Sequence, residues 1–131
     1  VCVDDHNGMM FNHRRQSQDR ILRADILELT DGKKLWMNAY SRKQFAESDA
    51  EKIRVDETFL DAAGDGEFCF VENADVSGCV ERIEEIYLYR WNRDYPADVY
   101  FPVDLSVWKC VETKEFAGSS HEKITRERYT C

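Results

Sequence analysis

Six side chains within eight residues could do chemistry together: His13, Arg14, Arg15, Ser17, Asp19 and Arg20. Three guanidinium groups so close in the chain can grip a phosphate or carboxylate through paired hydrogen bonds. The same residues also suit a plain helix-leading loop, with Ser17 or Asp19 as the cap. Just upstream, Asn7-Gly8 follows a short apolar strand; a glycine there lets backbone come close to a ligand. A second group, Arg90-Trp91-Asn92-Arg93, interleaves cations with an aromatic ring at a strand end, a pattern that stacks on a base or holds an anion. A third, Ser119-Ser120-His121-Glu122-Lys123, offers a second imidazole. His13 and His121 on one cleft would form an acid/base pair of the kind a small phosphodiesterase or ribonuclease uses, with Lys123 or Arg90 stabilising the developing charge.

Asp4, Asp5 and His6 are consecutive, so in a strand they point to opposite faces and make a poor ligand set. With no His-x-x-x-His or paired-Cys spacing, no metal is expected. Asp4 and Asp5 also suit turn chemistry before Asn7-Gly8.

These loops need elements to position them. Ile21, Leu22, Ile26 and Leu29 recur at helical spacing, and Gly32 follows as a stop. Leu35–Tyr40 reads as a buried strand, and Ser41 with Gln44 as a capping box opening a short helix. A weak strand over 53–55, a helix through Phe59 and Leu60, a strand over 68–71, a helix over 75–83 and a strand over 86–91 follow in turn. The chain closes on Val99–Phe101, Trp108–Phe116 and His121–Tyr129. Alternation over 121–129 favours a strand, although Ser119-x-x-Glu122 would allow a helix. Strands alternating with helices, then a closing hairpin, predict an α/β fold. Its expected form is a mostly parallel central sheet, helices on both faces, and a C-terminal antiparallel hairpin. Ligands of such sheets sit at the carboxyl ends of the strands.

The 131 residues suit one domain over 1–131. The formal net charge of −8 disfavours nucleic acid as a partner. Five cysteines without paired spacing predict free thiols and a cytoplasmic protein. No apolar run approaches the roughly 18 residues of a membrane span, and no leader segment is evident. Both a monomer and a homodimer are compatible with the sequence.

Several stretches in order resemble the dihydrofolate reductase family. They are Val3–Met10, Leu35–Ser41, Cys69–Val76, Ile83–Tyr89, Ala97-Asp98-Val99-Tyr100-Phe101-Pro102 and Ser106–Lys109. The resemblance implies that family's fold. It also implies NADPH as cofactor, with Ser41 touching cofactor phosphate, Asn73 lying beside the cofactor, and Asn7, Gly8 and Met9 in a mobile active-site loop. Asp19 would stand for the buried acid that relays a proton to a pterin- or pyrimidine-like substrate. The family's Gly-Gly pair, however, reads Glu72-Asn73 here, putting a side chain and a carboxylate where phosphate should approach backbone. The stretch 46–55, where the family grips the adenosine phosphate, is also compressed. The reading favoured is therefore a divergent protein of this fold that binds a nucleotide or other small anionic ligand through Asn7, Gly8, Arg14, Arg15, Ser17, Arg20, Arg90 and Arg93, redox chemistry having been lost. An NADPH-dependent reductase is the alternative.

Overall fold

The strand Glu85–Arg90 shows how one sequence period builds two cores. Ile86 and Leu88 pack in one cluster with Val3, Met10, Phe59, Val71 and Tyr129. Tyr89 packs in another, with Leu22, Ile26, Met37, Phe45, Phe70, Trp91 and Ile124. Successive strand residues face opposite ways, so a nearly continuous apolar run serves a sheet covered on both sides.

The computed structural model describes residues 1–45 and 51–131. Its strands are β1 (Cys2–Val3), β2 (Gly8–Phe11), β3 (Arg14–Arg15), β4 (Leu35–Met37), β5 (Ile53–Val55), β6 (Phe68–Cys69), β7 (Glu85–Arg90), β8 (Val99–Tyr100), β9 (Lys109–Phe116) and β10 (Ile124–Thr130). The α-helices are α1 (Arg20–Leu29), α2 (Ala39–Arg42) and α3 (Phe59–Ala62). One sheet runs β5-β4-β6, all parallel. A second runs β1-β7-β10-β9, with β1 parallel to β7 and the last three antiparallel. A small antiparallel sheet, β3-β2-β8, lies over the carboxyl ends of β1 and β7.

Helix α1 packs on the second of the two cores and α3 on the first, so helices cover both faces. Asp19 caps α1, accepting from the Ile21 and Leu22 N–H groups, and Gly32 at φ +78° turns the chain away after it. Strand β10 settles the C-terminal alternative in favour of a hairpin with β9.

Three expectations need correction. The sheet is not continuous: β6 and β1 do not pair. Strand β1 pairs with β7 at Tyr89 and Arg90, with Val1 bonded to Tyr87 and Tyr89 just before it, and among the described residues β6 pairs with β4 alone. A cavity of about 730 Å³ opens on this seam, lined by Val1, Leu35, Phe68, Cys69, Ile86 and Tyr87 at the amino-terminal side of the strands. The helix expected over 75–83 is a 3-10 segment, Ser77–Arg82, containing Gly78, a weak helix former. Helix α2 starts one turn earlier than expected. Its cap is Asn38, whose side chain accepts from the Ser41 N–H, so Ser41 lies inside the helix instead of leading it. Of the compressed stretch 46–55, residues 46–50 lie outside the described residues.

Candidate functional site

Two buried carboxylates organise the loops at the carboxyl ends of β1 and β7. Asp4 follows β1 and is 1% exposed. It accepts from the Gly8 N–H at 2.7 Å, the His6 N–H at 2.8 Å and Gln16 Nε2 at 3.0 Å. Burial pushes its pKa up, but the Gly8, His6 and Gln16 bonds outweigh burial and leave it lowered. Gly8 is needed for this turn: a Cβ there would lie 2.5 Å from Ala97 Cβ and 2.8 Å from Asp4 Oδ2. The glycine thus makes room for neighbouring protein atoms, which corrects the expectation that it admits a ligand.

The turn after β1 and the bend after β7 lie side by side. Asp5 N–H donates to the Arg93 carbonyl at 2.9 Å, and an Arg90 guanidinium nitrogen to Asn7 Oδ1 at 3.1 Å. Asn7 and Asn92 both adopt positive φ, near 60°. Asn12 and His13, also at positive φ, form the two-residue turn between β2 and β3. The turn leaves His13 and Arg14 exposed and points Arg15 inward.

Arg15 is not a free anion clamp. Its Nε lies 2.9 Å from Glu72 Oε2, a second guanidinium nitrogen lies 3.2 Å from Oε1, and the group sits 4.4 Å over the Tyr40 ring. Gln44 also donates to Glu72, at 3.0 Å. Arg90 is likewise committed, its Nε lying 2.6 Å from Glu127 Oε1. The expectation that Arg15 and Arg90 hold the ligand is therefore corrected. Among the described residues, the side chains of Arg14, Arg20 and Arg93 have no ion-pair or hydrogen-bond partner.

The positions expected to hold NADPH are closed. Ser41 is fully buried, and its hydroxyl has no hydrogen-bond partner among the described residues. Asn73 Oδ1 accepts from Asn38 Nδ2 at 2.7 Å. The cavity beside the Arg15–Glu72 pair, lined also by Met9, Gln16, Ser17 and Trp91, measures about 10 Å³, room for roughly one water. These residues do not fit the cofactor. Among the described residues, no three His, Cys, Asp or Glu side chains are grouped to hold a metal.

The second carboxylate, Asp19, is 1% exposed. Besides capping α1, it accepts from the Ser119 N–H at 3.0 Å and the Ser120 N–H at 2.8 Å. Its Oδ2 lies 3.1 Å from His121 Nδ1. The far side of that ring, Nε2, is 3.2 Å from Ser17 Oγ and 3.0 Å from Tyr95 Oη. Trp91 stacks on the imidazole, ring centres 4.5 Å apart. A Cβ on Gly118 would fall 2.4 Å from Asp19 Oδ2, so a glycine is needed here too. Burial works to raise the Asp19 pKa. The bonds from Ser119, Ser120, His121 and Leu22 outweigh it, and the net pKa is far below the usual carboxylate range. Asp19 is therefore an ionised acceptor and carries no proton to relay. His13 sits exposed in the hairpin turn, whereas His121 is buried among Asp19, Tyr95 and Trp91, so the two imidazoles are presented in different surroundings.

Sequence reasoning missed Tyr40 and Tyr95 as site-building residues, since nothing in their local spacing marks them, and it took Gln44 for a capping residue where it donates to Glu72. It also missed a buried group beneath β10. Asp25 accepts from Tyr89 at 2.6 Å, Arg126 at 2.7 Å and Lys114 at 3.1 Å.

No family model matches the chain, and no curated protein is similar to it in sequence. Its structure is similar to that of dihydrofolate reductase from Enterococcus faecalis complexed with NADP(H) and RAB-propyl. The TM-score is 0.67, with 98% of this chain and 92% of that chain covered at 12% sequence identity. This chain has a dihydrofolate-reductase-like fold. At that identity the likeness establishes the fold and leaves the chemistry to the residues present. No helix among the described residues is long and apolar enough to cross a membrane.

Proposed function

We propose that the protein binds a small anionic ligand, a nucleotide being the best fit, at the loops over the carboxyl ends of β1 and β7, and that it does not transfer hydride. One observation carries the reading: among five arginines around these loops, Arg15 and Arg90 are matched by Glu72 and Glu127, whereas Arg14, Arg20 and Arg93 have no side-chain partner among the described residues. Unmatched guanidinium groups are the ones able to gain bonds from an added phosphate. Phe11, 46% exposed, pairs across the hairpin with Arg14 and offers a ring beside that cation for a base. Asp5, Asp94 and Asp98 on the same loops favour a ligand with a localised charge held at the arginines over a polyanion.

A thermal-shift panel of nucleoside monophosphates, inorganic phosphate and pterins tests this. Nucleoside monophosphates are expected to raise Tm, and Arg14→Ala or Arg93→Ala to reduce the rise. A flat panel contradicts the reading.

A further inference from the structure

The sequence of contacts Asp19 Oδ2 to His121 Nδ1 (3.1 Å) and His121 Nε2 to Ser17 Oγ (3.2 Å) joins a carboxylate, an imidazole and a hydroxyl in line. The outer members come from the loop before α1 and the imidazole from the loop before β10. This is the geometry in which a carboxylate fixes the ring's tautomer and the free ring nitrogen draws the proton from a nucleophile. We propose that Ser17, His121 and Asp19 form a working nucleophile–base–carboxylate set that hydrolyses small activated carboxylic esters. This activity is independent of the anion-binding reading.

Five further observations suit the role. Asp19 is ringed by the Ser119 and Ser120 N–H groups, so it stays fixed and ionised opposite Nδ1. Trp91 stacks on His121 and holds the ring plane. Ser17 is the partly exposed member of the three, while Asp19 and His121 are buried. Among the described residues the Ser17 and Gln18 N–H groups have no acceptor, which leaves donors next to Oγ for a carbonyl oxygen that gains charge. Ser17 also borders the small cavity with room for one water, and the same cavity is lined by Gln16, whose Oε1 is buried without a partner.

The chemistry balances without a further reactant except water. Ser17 Oγ attacks the ester carbonyl and forms a C–O bond, while its proton passes to His121 Nε2. The bond from the acyl carbon to the leaving alcohol's oxygen then breaks, and that oxygen takes the proton from Nε2. Water next attacks the acyl carbon and gives a proton to Nε2. The Ser17 ester bond breaks, and Oγ recovers the proton. The sum is ester plus water giving acid plus alcohol. Asp19 touches no reacting atom and acts as a positioning residue. Tyr95 Oη, also near Nε2, competes with Ser17 for the same lone pair.

The test uses the intact chain with p-nitrophenyl acetate, a neutral ester, and a fluorophosphonate probe that releases fluoride on reaction with a nucleophilic serine. Wild type is expected to be labelled at Ser17, located by peptide mass spectrometry. It should also release p-nitrophenolate at least about 10²-fold faster than Ser17→Ala of unchanged Tm. Tyr95→Phe, which removes the competitor, should hold or raise the rate. Asp19→Asn, where it folds, should lower kcat and leave KM unchanged. Nitrogen NMR of wild type gives a readout that needs no variant: His121 should carry its hydrogen on Nδ1. Labelling elsewhere with Ser17 unmodified, equal rates for wild type and Ser17→Ala, or a hydrogen on Nε2 of neutral His121 would each overturn the proposal.

Discussion

Asp19 and His121 stand 102 positions apart in the chain and 3.1 Å apart in space, each nearly inaccessible to solvent. The contact pins the start of α1 to the loop that leads into β10. It therefore ties the first third of the chain to the last strand.

Because the Asp19 pKa is lowered on folding, its contribution to stability has a definite sign with pH. The unfolded chain binds a proton near the ordinary value of about 3.9, where the folded carboxylate still does not. The contribution is complete above that value and is lost as pH falls below it. Tm plotted from pH 7 to pH 2 should fall steeply below about pH 4 in wild type and less steeply in Asp19→Asn. At pH 7, Asp19→Asn should cost about 2–3 kcal/mol in urea unfolding, since it weakens a buried, charge-assisted set of bonds.

Removing Glu72 leaves Arg15 half-buried without its counter-charge. Glu72→Ala should destabilise the fold by about 3 kcal/mol, because an unmatched charge is left behind. Replacing both members, as Arg15→Met with Glu72→Met, should recover most of that loss. A double-mutant cycle in denaturant measures the coupling.

Gly118 and Gly8 each face a buried carboxylate where a Cβ would collide. Gly118→Ala should destabilise by about 1–3 kcal/mol, because the methyl would meet Asp19 and Ile124. Gly32→Ala meets no atom within 4 Å but sits at positive φ. It should therefore cost less, about 1 kcal/mol, from backbone strain alone. Thermal unfolding of the two variants separates the effects.

The regular elements were legible where local pattern decides them. Ile21, Leu22 and Ile26 marked α1, and the run Ile86–Trp91 marked β7. The hairpin β2–β3 was not legible: its strands are short and its turn, Asn12-His13, lacks the glycine that usually announces such a bend. That the turn after β1 meets the Arg90–Arg93 bend followed from strand order. What the arginines do there did not, because Arg15 and Glu72 are 57 positions apart and pairing over that distance leaves no periodic trace. Asp19 was legible as a cap, but its partnership with His121 depends on tertiary contact alone.

Isothermal titration calorimetry with adenosine monophosphate and NADPH in parallel addresses ligand class directly. Adenosine monophosphate should bind wild type and bind at least about tenfold more weakly to the Arg14→Ala/Arg93→Ala double variant, as expected for loss of charge-assisted contacts. NADPH should gain nothing from its nicotinamide half and show no oxidation with dihydropterin-type acceptors. Tight NADPH binding that survives loss of both arginines, with hydride transfer to an acceptor, would contradict the assignment.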